Sequence, residues 1–449
     1  MQSKHTRLNK KIKAWVITVD MGYGHQRAAY PLKDIAYGGI INANTYKGIP
    51  RKDKEAWKNQ RSFYEAVSRF KRMPLVGDVT FKFFDYFQSI PKFYPKRDLS
   101  GPSMQVWVAD HMIRKGFGKH LIEKISKKKL PLVTTFFVTA MMAEIYGFPG
   151  DIYCVICDAD ISRVWVPLEP KASRIRYFAP NQRVVERLQE YGVAKDRIIL
   201  TGFPLPEENL GCPTFKVLKD DFKHRLLNLD PNRLHISKYK NTLLAALKIK
   251  NFPAKTNHPL TLTFSVGGAG AQRELGADII QYLAESVLSH KIKINLIAGV
   301  HGDVYRYFKQ AVVKAKLAKE LGKYVNILFE KIKADYFKKF NLLLRKTDIL
   351  WTKPSELSFY TALGLPIVIA EPIGSQEFFN QQWLVYLGGG INQEKTKYVK
   401  EWLFDWIESG RLAEAAAQGF LEAPKSGFCN IQRYLSTGKH ENLINSIMV

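Results

Sequence analysis

Cysteine is scarce in this chain, and its scarcity excludes a disulfide-rich secreted scaffold. Only four of the 449 residues are cysteine. Cys154 and Cys157 have CxxC spacing, but they lie in the apolar run DIYCVIC, which predicts a strand. Residues three apart on a strand point to opposite faces, so these thiols should not share a metal ion. We therefore expect buried, reduced thiols and a cytoplasmic protein.

Long apolar runs and acidic residues are also few. No run approaches the roughly 20 apolar residues that cross a bilayer as a helix, so we expect any membrane contact to be peripheral. The chain has 41 Asp and Glu residues and 68 Lys and Arg residues, which gives a net charge of +27. Such a positive field attracts anionic membranes, phosphorylated ligands or nucleic acid, although charge for solubility is an alternative. The sequence has no nucleic-acid reader motif, and we expect no nucleic-acid partner.

Strand-like and helix-like segments alternate along most of the chain, which predicts parallel sheets wrapped by helices, an α/β fold. The pattern begins again at residues 260–288 with a strand, a glycine loop and a helix. This restart predicts a second doubly wound domain beside the first. The predicted units are an N-terminal domain over 1–206, a basic linker over 207–259, a second domain over 260–394, and C-terminal helices over 395–449. One arrangement that the sequence allows is that these helices cross back to the first domain.

Residues 47–130 hold little strand pattern and mix Phe and Tyr with Lys and Arg. Cations beside aromatic rings suit a membrane interface, where the cations meet anionic headgroups. A core helix with a solvated basic face fits the same pattern. The composition of this segment leaves both interpretations open.

Two glycine-rich turns each stand between a strand and a helix. They are GYGHQRAA at 22–29 and GGAGAQRELG at 267–276. Such a turn lets backbone N–H groups approach a ligand at the positive end of a helix. Neither turn matches the dinucleotide pattern GxGxxG, and neither is followed by the GK[ST] of a P-loop. The pattern fits two ligand-binding turns, one in each half of the chain. It also fits two tight turns that bind no ligand.

Five segments in register resemble glycosyltransferases of the GT-B fold. They are GYGHQRAA, RIILTGFPL, FSVGGAGAQ, TDILWTKPSEL and GLPIVIAEPIGSQEFFN. The likeness is to monogalactosyldiacylglycerol synthases, processive diacylglycerol glucosyltransferases and the N-acetylglucosaminyltransferase of the peptidoglycan lipid intermediate, a family-28-like group. It implies two Rossmann-like domains facing across a cleft, and an inverting transfer of a sugar from a nucleotide-diphosphate donor, usually a UDP-sugar. The implied acceptor is a lipid at the cytoplasmic membrane face, so we expect a peripheral protein on an anionic membrane surface.

The resemblance also assigns residues. Gly24 and His25 match the loop beside the acceptor and the reacting sugar, and His25 is the expected proton acceptor, unless it only satisfies local backbone groups. Glu356 would hold the ribose. The donor would act as substrate, with no cofactor and no metal. The residues predicted at the donor are Gly267, Gly268, Gly270, Ala271, Gln272, Phe329, Ile332, Ser355, Glu356, Ser375, Gln376, Glu377 and Asn380. Arg273 or Lys353 is the cation predicted to stabilise the charge on the departing diphosphate.

The sequence departs from the family pattern in two places. Ser355 and Glu356 directly follow a proline where relatives carry glycine, so Glu356 reaches the ribose from a shifted position or the nucleotide differs. The segment CDADISRVWVP lacks the family's histidine, which leaves the acceptor class open. Asp158 and Asp160 in that segment could bind a metal, but we expect acceptor contact or structural hydrogen bonds.

Two other functions fit parts of the sequence. A nucleotide-sugar 2-epimerase on the same fold would need its own acidic and histidine cluster near the first loop. A non-catalytic basic module for anionic membrane or nucleic acid would need neither.

Overall fold

The computed structural model describes residues 12–59, 90–267, 270, 272–372 and 374–439. These residues form two parallel six-stranded sheets with helices packed against them. The expected GT-B architecture of two Rossmann-like lobes is confirmed. Within the described residues, none of the helices combines the length and apolar character needed to cross a bilayer.

The first sheet has the strand order β2-β1-β3-β4-β5-β6. Its central strands are buried along their whole length, as expected for a parallel sheet covered on both faces. The segment GIINANTY, which resembles a full strand in sequence, contributes only two paired residues. The strands are β1 Trp15–Thr18, β2 Ile41–Asn42, β3 Leu132–Thr134, β4 Ile152–Val155, β5 Arg176–Ala179 and β6 Ile198–Leu200.

One helix of the first lobe begins at a side-chain cap. The Asn181 side chain accepts a hydrogen bond from the Val184 N–H at 2.9 Å and so caps the helix Gln182–Glu190. The α-helices are Tyr23–Ala29, Met104–Arg114, Lys119–Ser126, Phe137–Ile145 and Gln182–Glu190, and residues 51–59 are also helical. The 3₁₀ segments are Tyr30–Asp34, Arg163–Trp165 and Lys195–Arg197.

The second sheet has the order β12-β11-β10-β7-β8-β9. Counted from β7 this is the Rossmann order 3-2-1-4-5-6. The short strand β12 lies outside the segments that the sequence predicts as strands. The strands are β7 Thr261–Ser265, β8 Lys293–Gly299, β9 Val325–Phe329, β10 Ile349–Thr352, β11 Ile367–Ile369 and β12 Gly390–Asn392. The helices of this lobe are Arg273–Tyr282, Ala284–Leu288, Gly302–Lys314, Lys333–Leu344 and Ser375–Leu387, with 3₁₀ segments Ala318–Glu320 and Glu356–Leu363.

The chain passes between the lobes twice. Within the described residues, four α-helices occupy the linker and three follow the second sheet. In the last of these helices, Asn430 donates to the carbonyl of Thr201 at 2.8 Å, so the tail returns to the first lobe. The helices of both passages are Glu207–Leu210, Lys216–Leu229, Leu234–Lys238, Lys240–Leu247, Val399–Glu408, Arg411–Glu422 and Gly427–Thr437, with the 3₁₀ segment Thr396–Tyr398.

The cysteines divide into two pairs. Cys154 and Cys157 are buried free thiols, as the sequence predicts. Cys212, in the linker, and Cys429, in the last helix, are joined in a disulfide. The expectation of reduced thiols is therefore wrong for this second pair, because 217 residues separate the two cysteines and their proximity arises only from the return of the tail.

Candidate active site

The switch points of both sheets open onto one cleft between the lobes. A doubly wound sheet binds ligands beyond the carboxyl ends of its strands, where the strand order reverses. In the first sheet this point lies between β1 and β3, and in the second between β7 and β10. The cleft encloses about 190 Å³. Its lining residues are Met21, Gly22, Tyr23, Gly24, His25, Arg27, Cys157, Asp158, Val266, Gly267, Thr352, Lys353, Ser355, Glu356, Leu357, Gln376, Glu377 and Asn380.

His25 stands at the first switch point, on the helix that begins after Gly22. Gly22 has φ of 100°, a left-handed conformation that favours glycine. The Nδ1 atom of His25 lies 2.6 Å from the carbonyl oxygen of Thr135, just after β3. A carbonyl only accepts, so Nδ1 carries the proton and Nε2 keeps the lone pair. Burial lowers the pKa of His25 to about 4, although the bond to Thr135 opposes this, so the ring is neutral at pH 7.

Asp158 follows β4 and lines the same cleft. Burial raises the pKa of Asp158 to about 7; a hydrogen bond with Asn380 opposes this effect, and the nearby carboxylates of Glu356 and Glu377 add to it. A carboxyl group that titrates near neutrality can both take up and release a proton at physiological pH. Asp160 differs, because it is buried in an ion pair with Arg187 at 2.9 Å and is structural.

Arg27 joins the two lobes at the base of the cleft. It lies one turn after Tyr23 on the first helix, yet its Nε is 3.0 Å from a carboxylate oxygen of Glu356 in the second lobe. Its Nη2 donates to the Tyr336 hydroxyl at 2.5 Å, and its guanidinium lies 4.3 Å from the ring centroid of Phe340. The pair is almost fully buried, at 2% and 10% side-chain exposure. An ion pair of this kind holds Glu356 in one position.

The second glycine turn approaches a lysine. A Cβ atom at Gly267 would lie 2.4 Å from the Cε of Lys353, so the Lys353 side chain passes close beside this turn. Lys353 forms an ion pair with Glu377 on the helix Ser375–Leu387. This cation therefore lies at the second switch point, beside the carboxyl end of β7.

Asn380 connects the loops of the two lobes. Its side-chain oxygen accepts from the Ala159 N–H at 2.8 Å, and its amide donates to the Pro354 carbonyl at 3.3 Å. Gly24 also approaches the second lobe, since a Cβ there would lie 3.4 Å from the Glu356 carboxylate. These contacts bring the loop after β4 against the segments that carry Ser355 and Gln376.

The cleft brings together about half of the site residues that the sequence predicts. Those lining it are Gly24, His25, Gly267, Lys353, Ser355, Glu356, Gln376, Glu377 and Asn380. Gly268 and Ala271 lie outside the described residues, and Ser375 begins the helix Ser375–Leu387.

The other assigned residues lie away from the lining of the cleft. Gln272 donates to the Glu371 carbonyl at 2.9 Å, and Arg273 pairs with its neighbour Glu274 at 3.1 Å on the surface. Phe329, at the end of β9, stacks on Tyr305 with ring centroids 5.2 Å apart. Ile332 is exposed, and Gly270 has a positive φ of 69° in the turn after β7.

No sequence pattern assigns a role to Arg27, and only a weak signal points to Asp158. Arg27 lies within the first glycine motif, but its partner is more than 300 positions away, and no spacing rule predicts such a pair. Asp158 could be recognised from its place directly beyond a buried strand, where functional side chains of parallel sheets occur.

Among the described residues, one group of His, Cys and acidic side chains is close enough to share a metal ion, namely Glu207 with Cys212 and Cys429. Its two sulfur atoms are joined in the disulfide, and the group is not part of the cleft lining. Metal independence of the cleft stays a prediction.

Comparison with known proteins adds sequence relatives. A family model described as a domain of unknown function, DUF6938, matches residues 250–416. A processive diacylglycerol beta-glucosyltransferase of Bacillus pumilus is 20% identical over 423 residues, which cover 92% of this chain and 91% of the relative. The same-named protein of Bacillus cytotoxicus is 22% identical over 323 residues, covering 70% and 66% of the two chains.

This chain is similar to GT-B, family-28-like glycosyltransferases. The resemblance that the motifs indicate is thereby confirmed. A solved structure of the UDP-GlcNAc 2-epimerase from Neisseria meningitidis, bound to UDP-GlcNAc, also aligns with the chain at a TM-score of 0.45 and 12% identity, covering 97% of this chain and all of that one.

Proposed function

We propose that this protein is a glycosyltransferase that moves a sugar from a UDP-sugar to a lipid acceptor, with inversion at the anomeric carbon and without a metal ion. The observation that carries the proposal is the single cleft in which both switch points meet. There, His25 and Asp158 of the first lobe face Gly267, Lys353 and Glu356 of the second. The similarity to diacylglycerol glucosyltransferases supports the choice of a lipid acceptor.

The first lobe supplies the groups that handle the proton. In an inverting transfer, the acceptor oxygen attacks the anomeric carbon, the bond from that carbon to the diphosphate breaks, and the acceptor proton must leave. We assign the proton to the Asp158 carboxylate, because a base with a pKa of about 7 accepts a proton more effectively at neutral pH than an imidazole with a pKa of about 4. His25, whose Nδ1 donates to Thr135, keeps the Nε2 lone pair and can accept a hydrogen bond from a different substrate hydroxyl.

The second lobe supplies the groups that hold the donor. The departing diphosphate gains negative charge, which Lys353 and the backbone N–H groups of the Gly267 turn can stabilise. Glu356 has carboxylate oxygens that can accept from ribose hydroxyls, and its ion pair with Arg27 fixes its position. This arrangement supports the shifted ribose contact that the sequence leaves open.

One surface of the first lobe supports the proposed membrane contact. The helix Met104–Arg114 exposes three large apolar side chains on one face, Met104, Trp107 and Val108. Exposed cations follow closely along the chain, among them Lys115 and Lys119. Apolar side chains beside cations suit the boundary of an anionic bilayer. We infer that the protein binds the cytoplasmic membrane face through this lobe.

The deciding experiment is mass spectrometry of lipid extracts incubated with the protein and mixed nucleotide sugars. We expect glycosylated lipid and free UDP in equal amounts, and far less of both in the same time from the Asp158→Asn variant. Donor binding is measured separately by thermal shift, where a ligand at 100 times its Kd stabilises the protein by about 2.7 kcal/mol. Donor binding without any glycosylated lipid would overturn the proposal of a lipid acceptor. The absence of a thermal shift with every nucleotide sugar would overturn the proposal that the protein is a glycosyltransferase.

A nucleotide-sugar 2-epimerase is the second candidate. The cleft holds His25 together with the carboxyl groups of Asp158, Glu356 and Glu377, which is the acidic and histidine cluster that such an enzyme requires near the first loop. The same reaction without lipid separates the candidates. An epimerised nucleotide sugar, formed with no acceptor present and with the sugar still attached to UDP, would favour the epimerase.

A further inference from the structure

A second cavity lies outside the cleft, where the linker helices meet the C-terminal tail. It encloses about 60 Å³. On that measure a single water needs about 10–15 Å³, so the cavity has room for about four to six water-sized groups. Its walls are apolar apart from two lysines, and the lining residues are Phe215, Leu218, Lys219, Ala246, Phe420, Leu421 and Lys425.

Lys425 is the unusual member of this lining. Only 5% of the residue is exposed, and within the described part of the chain it makes no hydrogen bond or ion pair. Its ammonium nitrogen lies 5.3 Å from the centroid of the Phe420 ring. Burial lowers the pKa of Lys425 to about 8, which Glu422 opposes and Lys219 reinforces. A buried ammonium without a counter-ion is costly, and an anion beside it would recover much of that cost.

The cavity also lies between the two passages of the chain from lobe to lobe. Phe215 follows the first crossing, in which the chain leaves the first lobe for the second. Lys425 belongs to the second crossing, in which the tail returns to the first lobe. The two passages are in close contact, since a Cβ at Gly427 would lie 2.1 Å from the Phe203 carbonyl oxygen and a Cβ at Gly202 would lie 3.0 Å from Pro424. A molecule bound here would contact both connections between the lobes.

We propose that this cavity binds a small organic carboxylate, whose charged group pairs with Lys425 and whose short apolar tail packs among Phe215, Leu218 and Phe420. One buried ammonium among apolar walls matches a singly charged head on a hydrocarbon chain. Inorganic phosphate would bring a second charge and no tail, and would leave the rings of Phe215 and Phe420 uncovered. Lys219, at the partly exposed side, adds to the positive potential.

Calorimetric titration of the full chain with butyrate tests the site, with butanol and inorganic phosphate as separate probes. We expect saturable binding of butyrate at least tenfold tighter than that of either other probe. The Lys425→Met variant should weaken butyrate binding about tenfold or more, whereas Lys425→Arg retains the charge and should retain binding. Lys216→Met is the matched control, because Lys216 is exposed on the neighbouring helix, and it should change the affinity less than twofold.

A second readout uses the charge of Lys425 directly. Butyrate affinity should fall as the pH rises above about 8, because the amine then loses its proton. The other charged groups facing Lys425 are Glu422 and Lys219, with Lys248 beside Lys219. The proposal is overturned by equal binding of butanol, by equal binding of phosphate, by unchanged affinity in Lys425→Met, or by an absence of saturable heat. Folding of each variant is checked by its thermal unfolding, so that a lost site is distinguished from a lost fold.

Discussion

At the scale of single residues, the pH dependence of transfer distinguishes the two groups that could accept the proton. If Asp158 is the base, kcat/KM should rise with pH and level off above the Asp158 pKa of about 7. If His25 were the base, the same limb would lie near its pKa of about 4. We therefore expect a midpoint near neutrality in initial-rate measurements from pH 5 to 9.

Substitutions at the same two residues check this assignment. Asp158→Asn should lower kcat by about 10² to 10⁴-fold and remove the limb near pH 7. His25→Gln keeps a hydrogen-bonding side chain and should lower kcat less, while the limb remains. A profile that stays unchanged in Asp158→Asn would exclude Asp158 as the base.

The raised pKa of Asp158 also has a consequence for stability. Burial favours the protonated carboxyl group in the folded state, so the folded protein binds more protons than the unfolded chain between the usual value of 3.8 and about 7. Stability from this group is therefore complete below about pH 4 and is lost as the pH rises through 7. The Asp158→Asn variant should gain stability relative to the parent as the pH increases.

Urea unfolding of both proteins at pH 5 and pH 8 measures this difference. The urea midpoint of Asp158→Asn minus that of the parent should be larger at pH 8 than at pH 5. The control is Asp160→Asn, which removes the partner of the buried Arg187 and should destabilise the protein at both pH values. An equal gap at pH 5 and pH 8 for Asp158→Asn would contradict the raised pKa.

Arg27 provides a further test at this scale. Arg27→Met leaves Glu356 buried without its cation, which should destabilise the protein by about 3–5 kcal/mol and raise KM for the donor more than it lowers kcat. Adding Glu356→Gln removes the unpaired charge, so the double variant should recover part of the lost stability. Steady-state kinetics and denaturant unfolding measure the two effects. Additive losses in the double variant would show that the pair is not coupled.

The residues that could be predicted from sequence are those in short local patterns. Gly24, His25 and Gly267 follow strands within glycine turns, and they line the cleft. Arg27 could not be recognised, because its role depends on Glu356 in the other lobe. Arg273 lies beside the second turn, and its side chain pairs with Glu274 on the surface; its contact with the donor stays a prediction.

At the scale of elements, the helix Met104–Arg114 carries the prediction about membranes. Trp107 is 58% exposed on it, and burying this ring at a bilayer boundary should contribute to binding. We expect Trp107→Ala to weaken binding to vesicles containing anionic lipid about tenfold, measured by sedimentation. Tyr386→Ala, an exposed aromatic residue on the helix Ser375–Leu387 of the other lobe, should leave binding unchanged.

Salt separates the electrostatic contribution to vesicle binding from the apolar contribution. Screening shortens the range of charge attraction to about 3 Å at 1 M salt, so binding of the parent protein should fall sharply there. Equal binding to neutral and anionic vesicles would contradict an electrostatic component. Equal binding of Trp107→Ala and the parent would exclude this helix as the contact.

Long buried elements follow from the sequence better than short ones. The strand β4 is apolar throughout, β7 alternates polar and apolar residues, and both are paired along most of their length. The short strands β2 and β12 exist because neighbours in the sheet pair with them, and so their lengths depend on tertiary contacts. The segment Glu356–Leu363 has a helical pattern but forms a 3₁₀ helix between Pro354 and Gly364, whose φ is positive.

At the scale of the whole molecule, the restart of the strand and helix pattern near residue 260 predicts two sheets, and two sheets form. The relation between the lobes is less accessible to sequence. The ion pair of Asp20 with Lys333 and the hydrogen bond from the Val300 N–H to the Tyr23 hydroxyl at 3.0 Å join residues about 300 positions apart. No local pattern indicates such contacts.

The return of the tail leads to the final prediction. Tyr434, in the last helix, packs edge-on against Tyr153 of β4 and Phe178 of β5, with ring centroids 6.0 and 5.7 Å apart. The first sheet is thus completed by residues that follow the second sheet in sequence. Removing the ring in Tyr434→Ala leaves a cavity, which should destabilise the first lobe by about 3 kcal/mol.

Hydrogen exchange measured by mass spectrometry can follow the two lobes separately. In Tyr434→Ala, the amides of β4 and β5 should exchange faster while those of β7 and β8 keep their rates, because the lost contact lies on the first sheet alone. Tyr398→Ala is the control, since Tyr398 belongs to the tail but is 46% exposed, whereas Tyr434 is 8% exposed. Equal acceleration in both sheets would mean that the lobes unfold as one cooperative unit, and unchanged rates in β4 and β5 would mean that the tail does not stabilise the first lobe.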